Sequence, residues 1–454
     1  MRLLTPVFLF SLLAPTYAWL PSSSSQLLGR RPTTRLASSE MEDLDGKIIY
    51  QRTHYRLSPG STVSIPNALV LEERLRFQPD PQNKGYVLPT GPRTFILREG
   101  TDTHDISKEL YRLHLGDGTA HSGPGAMDTT IATLLYLASN PEIMQGNLLQ
   151  VDCQSGIAGL MGSIGARFVN EGPPPPPPQV DDEVLTVPKH ADHILPSRLH
   201  HLTLSDQDKG NLQDAYDNVR HARLSPGKVS IKDFPWSQRI PNRHYDKLYH
   251  TIIGSDIDFS YPSSKDLARV VANSLLPSNP VAREAAQAAA EKKASSGSGG
   301  SSFGGMGMEM EAPPPRRREP QAPLDPEETQ VDPMIPPTFV HVCPDDRDNV
   351  PYLRQFLEKG FRMTVDIGYI KLQKLAFAFQ ILPQDAHESE LESMELVPKA
   401  EKAVAYQSLR AVHHPDYAGD GSGEYFFPLE TGEYEGGTSS RSTYLEPEAG
   451  ESPW

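Results

Sequence analysis

The residues best placed for chemistry in this sequence share one setting. Gln150, Asp152 and Gly156 lie at the end of the run NLLQVDCQSG, Asp206 closes LHHLTLSD, Trp236 follows VSIKDFP, and Ser255 and Asp256 close HTIIGSD. Each apolar run reads as a strand, and after the first one Ile157, Leu160, Met161 and Ile164 recur at helical spacing. Strand, tight turn and helix in that order open a doubly wound α/β sheet, whose ligands bind beyond the carboxyl ends of its strands. At such a turn the unpaired N–H groups and dipole of the helix favour an anionic ligand group. The same residues have plainer uses. Asp206 can cap the following helix, Trp236 can fill core, Gly156 can simply make the turn, and Asp256 can cap the next segment.

Several elements must position these groups. Residues 47–118 alternate in the manner of strands between Pro, Gly and Asn turns and are expected to form a small antiparallel β element. Residues 119–383 carry the α/β domain, opening with a helix from Asp128 to Ala138. Further helices are expected over Gln207–His221, with Leu212, Ala215 and Val219 inward, over Ser263–Leu276 and over Asn349–Lys359. Thr338–Cys343 reads as a strand, and residues 360–365 with 376–382 as a closing hairpin. Two insertions interrupt the domain: 170–188, with six consecutive prolines, and the low-complexity stretch 279–336. Both are expected to be disordered, and 384–454 is expected to be an acidic low-complexity tail.

Composition narrows the functions. With 43 prolines, 34 glycines and 8% aromatics in 454 residues, much of the chain is not core. A formal charge of −15 leaves no basic face for phosphates and speaks against a nucleic-acid partner. Two cysteines, Cys153 and Cys343, cannot build a disulfide framework and read as small buried residues. The histidines at 190, 193, 200, 201, 413 and 414 lack metal-ligand spacing, so no metal is expected. Residues 1–18 have the grammar of a signal peptide, and 19–39 are Ser- and Arg-rich with no acid before Glu40. This resembles the two-part presequence of algae with complex plastids, with a secreted or endomembrane-lumen protein as the alternative. No membrane span is expected to remain once the signal is removed.

The order of these parts resembles the class I methyltransferases that use S-adenosylmethionine, specifically the seven-strand, non-SET protein-lysine methyltransferase group (methyltransferase family 16). Four blocks carry the resemblance, which covers roughly residues 120–382. GPGAMDTTIATLLYL is similar to the family's opening loop and helix, with Met127 where the family has tryptophan. Gln150 to Gly156 resembles its Glu-Leu-Gly-x-Gly-x-Gly loop, with Gln150 in place of the acid and Asp152 and Gln154 in place of two glycines. LTLSD with YDNV (Asn218, Val219) and DFPW with IIGSD are similar to the third and fourth blocks. The resemblance implies a Rossmann-like seven-strand sheet with helices on both faces, and S-adenosylmethionine as cofactor. It implies that Met127, Gln150, Asp152, Gly156, Asp206, Trp236 and Ser255 line the cofactor, with Asp206 accepting the ribose hydroxyls and Trp236 stacking. It also implies that Asp256 with Phe259, or Asp258 with Tyr261, orients the nucleophile at the pocket mouth. Two functions stay open: methyl transfer to a protein lysine, or a catalytically inactive relative that binds protein partners.

Overall fold

In the computed structural model, which describes residues 34–35, 46–59, 69–80, 82, 86–100, 106–116, 127–172, 191–234, 236, 248–257, 261–278, 281, 288 and 331–415, fourteen strands join in one sheet. They are β1 (Thr34–Arg35), β2 (Lys47–Pro59), β3 (Leu69–Pro79), β4 (Tyr86–Pro89), β5 (Thr94–Gly100), β6 (Ile106–His114), β7 (Gly146–Val151) and β8 (Leu199–Asp206). The others are β9 (Val229–Asp233), β10 (Thr251–Ser255), β11 (Thr338–Pro344), β12 (Met363–Phe377), β13 (Gln380–Pro383) and β14 (Pro398–His413). The helices are α1 (Asp128–Ser139), α2 (Ile157–Glu171), α3 (Lys209–His221), α4 (Tyr261–Ser274), α5 (Val350–Gln355) and α6 (Glu388–Ser393).

Seven strands form the α/β part in the order β9-β8-β7-β10-β11-β14-β12. The first five are mutually parallel and β14 runs antiparallel between β11 and β12. β7, β10 and β11 are apolar runs buried almost throughout, as central strands covered on both faces must be. One face packs on residues of α1, α2 and α3, including Ile131, Leu134, Leu160, Ile164 and Ala215. The other packs on α4 and α5 through Leu267, Val271, Val350 and Leu353. This is the Rossmann-like α/β architecture expected, and chain order reverses between β7 and β10, where doubly wound sheets bind ligands.

The N-terminal β element is antiparallel as expected, but it is not a separate sheet. β2 pairs with β12 from Ile370↔Pro59 to Ala376↔Thr53, making the two sheets one. Tyr55, Leu71, Phe95 and Leu97 meet α1 in the same core as α2, so α1 is buried from Thr130 to Ser139. α1 and α2 approach closely: a Cβ on Gly165 would lie 2.6 Å from that of Ala138.

Two expectations at the C-terminal side need correction. Residues 360–365 and 376–382 do not pair as a hairpin; β12 is one continuous strand whose partner is β14, while β13 pairs with β2. The tail read as beginning at 384 instead supplies α6 and the sixteen-residue β14. The first six residues of β14 are exposed and hold Lys399, Glu401 and Lys402; only the second half alternates toward the core, with Tyr406, Leu409 and Ala411 buried. The polar half hides the strand from a hydropathy reading. Residues 331–336, assigned to the second insertion, are placed against the domain, where Asp332 N–H donates to Gln145 Oε1 at 2.9 Å. Most of that insertion, most of the proline insertion, the presequence apart from Thr34 and Arg35, and the chain beyond 415 lie outside the described residues.

Candidate functional site

The loop between β7 and α2 has an alternating backbone. Asp152, Gln154 and Gly156 have φ of 54°, 51° and 72°, and the intervening residues do not have positive φ. These are the three positions where the resembled loop has glycine. A side chain held in the left-handed region costs about 1 kcal/mol, so Asp152 and Gln154 maintain a shape that their types disfavour.

Neighbouring groups enforce that shape. Cys153 N–H donates to Ser205 O and Gln154 N–H to Asp206 Oδ2, both at 2.8 Å, binding the loop to the end of β8. Asn218 Nδ2 donates to Ser155 O at 2.8 Å, and Asn218 Oδ1 accepts from Gly116 N–H at 2.7 Å. One buried amide thus ties the loop, α3 and the end of the N-terminal element together. Gln150 faces inward: its Oε1 accepts from Gly159 N–H at 2.8 Å and its Nε2 donates to Cys153 O at 3.4 Å. A glutamine satisfies both groups without placing a charge in the core. Of the N–H groups that open α2, those of Gly156 and Gly159 have acceptors, while those of Ile157 and Ala158 have none among the described residues.

Asp206 is buried and accepts three hydrogen bonds, from Gln154 N–H, from Asp208 N–H at 2.8 Å and from Asn211 Nδ2 at 3.2 Å. It does not cap α3. That cap is Asp208, whose Oδ1 accepts from the N–H groups of Gly210 and Asn211. A carboxylate has about four lone-pair sites, so Asp206 retains about one for a ligand hydroxyl. Burial pushes the Cys153 thiol well above the ordinary range, and the charges of Asp206 and Asp152 add to this, which disfavours its thiolate.

On the other side of the reversal point, buried Ser255 Oγ lies 3.0 Å from Thr133 Oγ1 of α1. Asp256, at φ 49°, pairs with Arg347 Nη2 at 2.6 Å. The turn that follows β11 at Asp345 and Asp346 therefore sends Arg347 to the candidate site. Trp236 is buried in the core with Phe234, Tyr249 and Ile257, and its Nε1 has no hydrogen-bond partner among the described residues. Met127 precedes α1, and its sulfur contacts the Arg93 guanidinium. Phe259 and Asp258 lie outside the described residues, as does the loop before Met127. Sequence reasoning missed Asn211, Asp208, Thr133 and Arg347 as supports; only Asp208, ahead of a helical run, carries a local signal.

The residues fit an amino-acid-bearing cofactor in part. The loop backbone, the unpaired N–H groups of α2 and the remaining acceptor of Asp206 suit a carboxylate and a ribose. Gln150 does not, because its amide is committed to the loop and it has no charge for an ammonium group.

No family model matches the chain, and no curated protein matches it. Solved structures do. The SAM dependent methyltransferase of Agrobacterium tumefaciens is 11% identical, with 80% of this chain and 90% of that one covered, at a TM-score of 0.34. A putative RNA methyltransferase from Pyrococcus horikoshii is 8% identical, covering 63% and 82%, at 0.27. Precorrin-6y C5,15-methyltransferase from Geobacter metallireducens is 8% identical, covering 63% and 87%, at 0.29. Scores this low add no argument; the fold rests on the strand order above.

Proposed function

We propose that this chain is a methyltransferase that uses S-adenosylmethionine and methylates a lysine of a protein substrate, in a plastid. One observation carries the cofactor reading: the β7–α2 loop keeps left-handed backbone at residues 152, 154 and 156 although two of them are not glycine. Held against a local penalty, at the rim where such sheets bind ligands, that shape is what a ligand-cradling loop needs. The cofactor would supply an electrophilic methyl group. The chain's own part is to position and to exclude water. The α2 N-terminus would hold the ligand's carboxylate, Asp206 would accept a ribose hydroxyl, and Asp256, oriented by Arg347, would face the incoming amine.

A second reading has its own observation. Gln150, Ser255 and most of Asp206 are committed to the chain's own groups, as expected of a relative that keeps the fold to bind protein partners. Titration calorimetry of S-adenosylmethionine and S-adenosylhomocysteine into the full chain separates the two. Micromolar binding supports the transferase; no heat at millimolar ligand favours the partner-binding module.

A further inference from the structure

Far from the loop, four arginines on four strands of the N-terminal element converge. Arg52 on β2 sits directly opposite Arg74 on β3, with Arg98 on β5 and Arg112 on β6. Three of them direct Nε at one fully buried carboxylate, Glu72, at 2.8, 2.6 and 2.6 Å for Arg52, Arg74 and Arg98. Their terminal nitrogens extend toward α6, where Arg52 Nη1 donates to Leu391 O at 3.1 Å. There they meet a second carboxylate, Glu392 of α6. Its Oε1 takes Arg74 Nη2 at 2.5 Å and Arg112 Nη2 at 3.0 Å; its Oε2 lies 3.2 Å from Arg98 Nη2 and 3.8 Å from Arg52 Nη2.

The two carboxylates are not equivalent. Glu72 belongs to the sheet and its side chain is 0% exposed, whereas Glu392 is 37% exposed. Glu392 arrives on a six-residue helix from the connection between β13 and β14. Burial lowers the pKa of Arg52, Glu72 opposes this, and neighbouring Arg74 lowers it further, whereas at Arg74 burial is outweighed by Glu72 and Glu392, which raise it. Holding one surface helix would not require four arginines, since one guanidinium binds a carboxylate by two parallel bonds. Glu109 of β6 also pairs with Arg112, at 2.7 Å, and lies 3.9 Å from Arg98, yet all four guanidiniums place Nη2 on the two oxygens of Glu392, a convergence that suits an anion with more oxygens and more charge.

We propose that Arg52, Arg74, Arg98 and Arg112 form a binding site for a phosphate dianion, free or as a phosphoryl monoester, and that Glu392 is the chain's own stand-in for it. The site is separate from the β7–α2 loop and does not depend on the transferase reading.

The test uses the full chain, inorganic phosphate and calorimetry at constant ionic strength. A tethered competitor acts at an effective concentration near millimolar, so Glu392→Gln should tighten phosphate binding by at least about tenfold. Adding Arg112→Gln, a change at the rim, should remove that gain. A folded Glu392→Gln protein that takes up no phosphate overturns the proposal. Should that variant not fold, hydrogen exchange on the wild-type chain decides: phosphate should speed exchange over residues 388–393, and unchanged exchange overturns the proposal. A phosphoserine peptide is the second ligand. Tighter binding than inorganic phosphate supports a phosphoprotein source, and equal binding supports free phosphate.

Discussion

Replacing Asp206 should unfold the loop as well as weaken ligand binding, because the carboxylate has two tasks. It accepts from Gln154 N–H, Asp208 N–H and Asn211 Nδ2. A hydrogen bond to a charged acceptor contributes about 1.5–3 kcal/mol, and a buried donor left without one costs about 1–3 kcal/mol. The Asn211 amide can turn to water, which leaves two backbone donors stranded in Asp206→Ala. The expected loss is about 3–5 kcal/mol, or roughly 6–20 °C in Tm at about 2–4 °C per kcal/mol for a domain of this size. Asp206→Asn keeps one acceptor oxygen but points an NH2 at a donor, so about half of that loss is expected. Thermal scans with and without S-adenosylmethionine read both tasks. Wild type should gain about 2.7 kcal/mol at a hundredfold excess over Kd, and Asp206→Asn should start lower and gain little. An unchanged Tm in ligand-free Asp206→Ala would refute the argument that this carboxylate closes the loop.

The other predictions use separate parts of the molecule. Asp152→Gly with Gln154→Gly relieves two left-handed side chains; after the entropy cost of glycine, about 0–1 kcal/mol of net gain should remain, with tighter cofactor binding by calorimetry. Gly165→Ala drives a methyl group against Ala138 and should cost about 1–3 kcal/mol in denaturant titration. Burial, with Arg347 nearby, lowers His341 from 6.5 to about 4. The folded state therefore disfavours the proton, and about 3 kcal/mol of stability present above pH 6.5 should be lost as pH falls toward 4; His341→Leu should flatten that stretch. Burial alone would raise Glu72, but Arg52 and Arg74 outweigh it and hold the carboxyl at about 2 against 4.5. Its contribution is complete above about pH 4.5 and should disappear between there and pH 2, a dependence absent in Glu72→Gln.

The local units of this protein were legible in its sequence because each is written in contiguous residues. The strand runs ending at Val151, Asp206 and Ser255 and the helical spacing of α2 identify βα units without reference to anything distant. Their order already implied a doubly wound sheet. β14 was not legible, since its first half bears Lys399, Glu401 and Lys402 on an exposed stretch, and its partner β12 contains Gly368, Lys371 and Lys374. Only pairing across the sheet makes those residues a strand. The site divides in the same way. Sequence alone placed Gln150, Asp152, Asp206 and Asp256 on one rim, because strand ends in such a sheet share an edge. What each side chain does there depended on partners remote in the chain. Gln154 N–H reached Asp206, Asn218 reached Ser155, Arg347 reached Asp256, and Glu392 reached arginines some three hundred residues earlier. Hydrogen bonds and ion pairs act over about 3 Å of space whatever the sequence separation, so only the tertiary structure decided them.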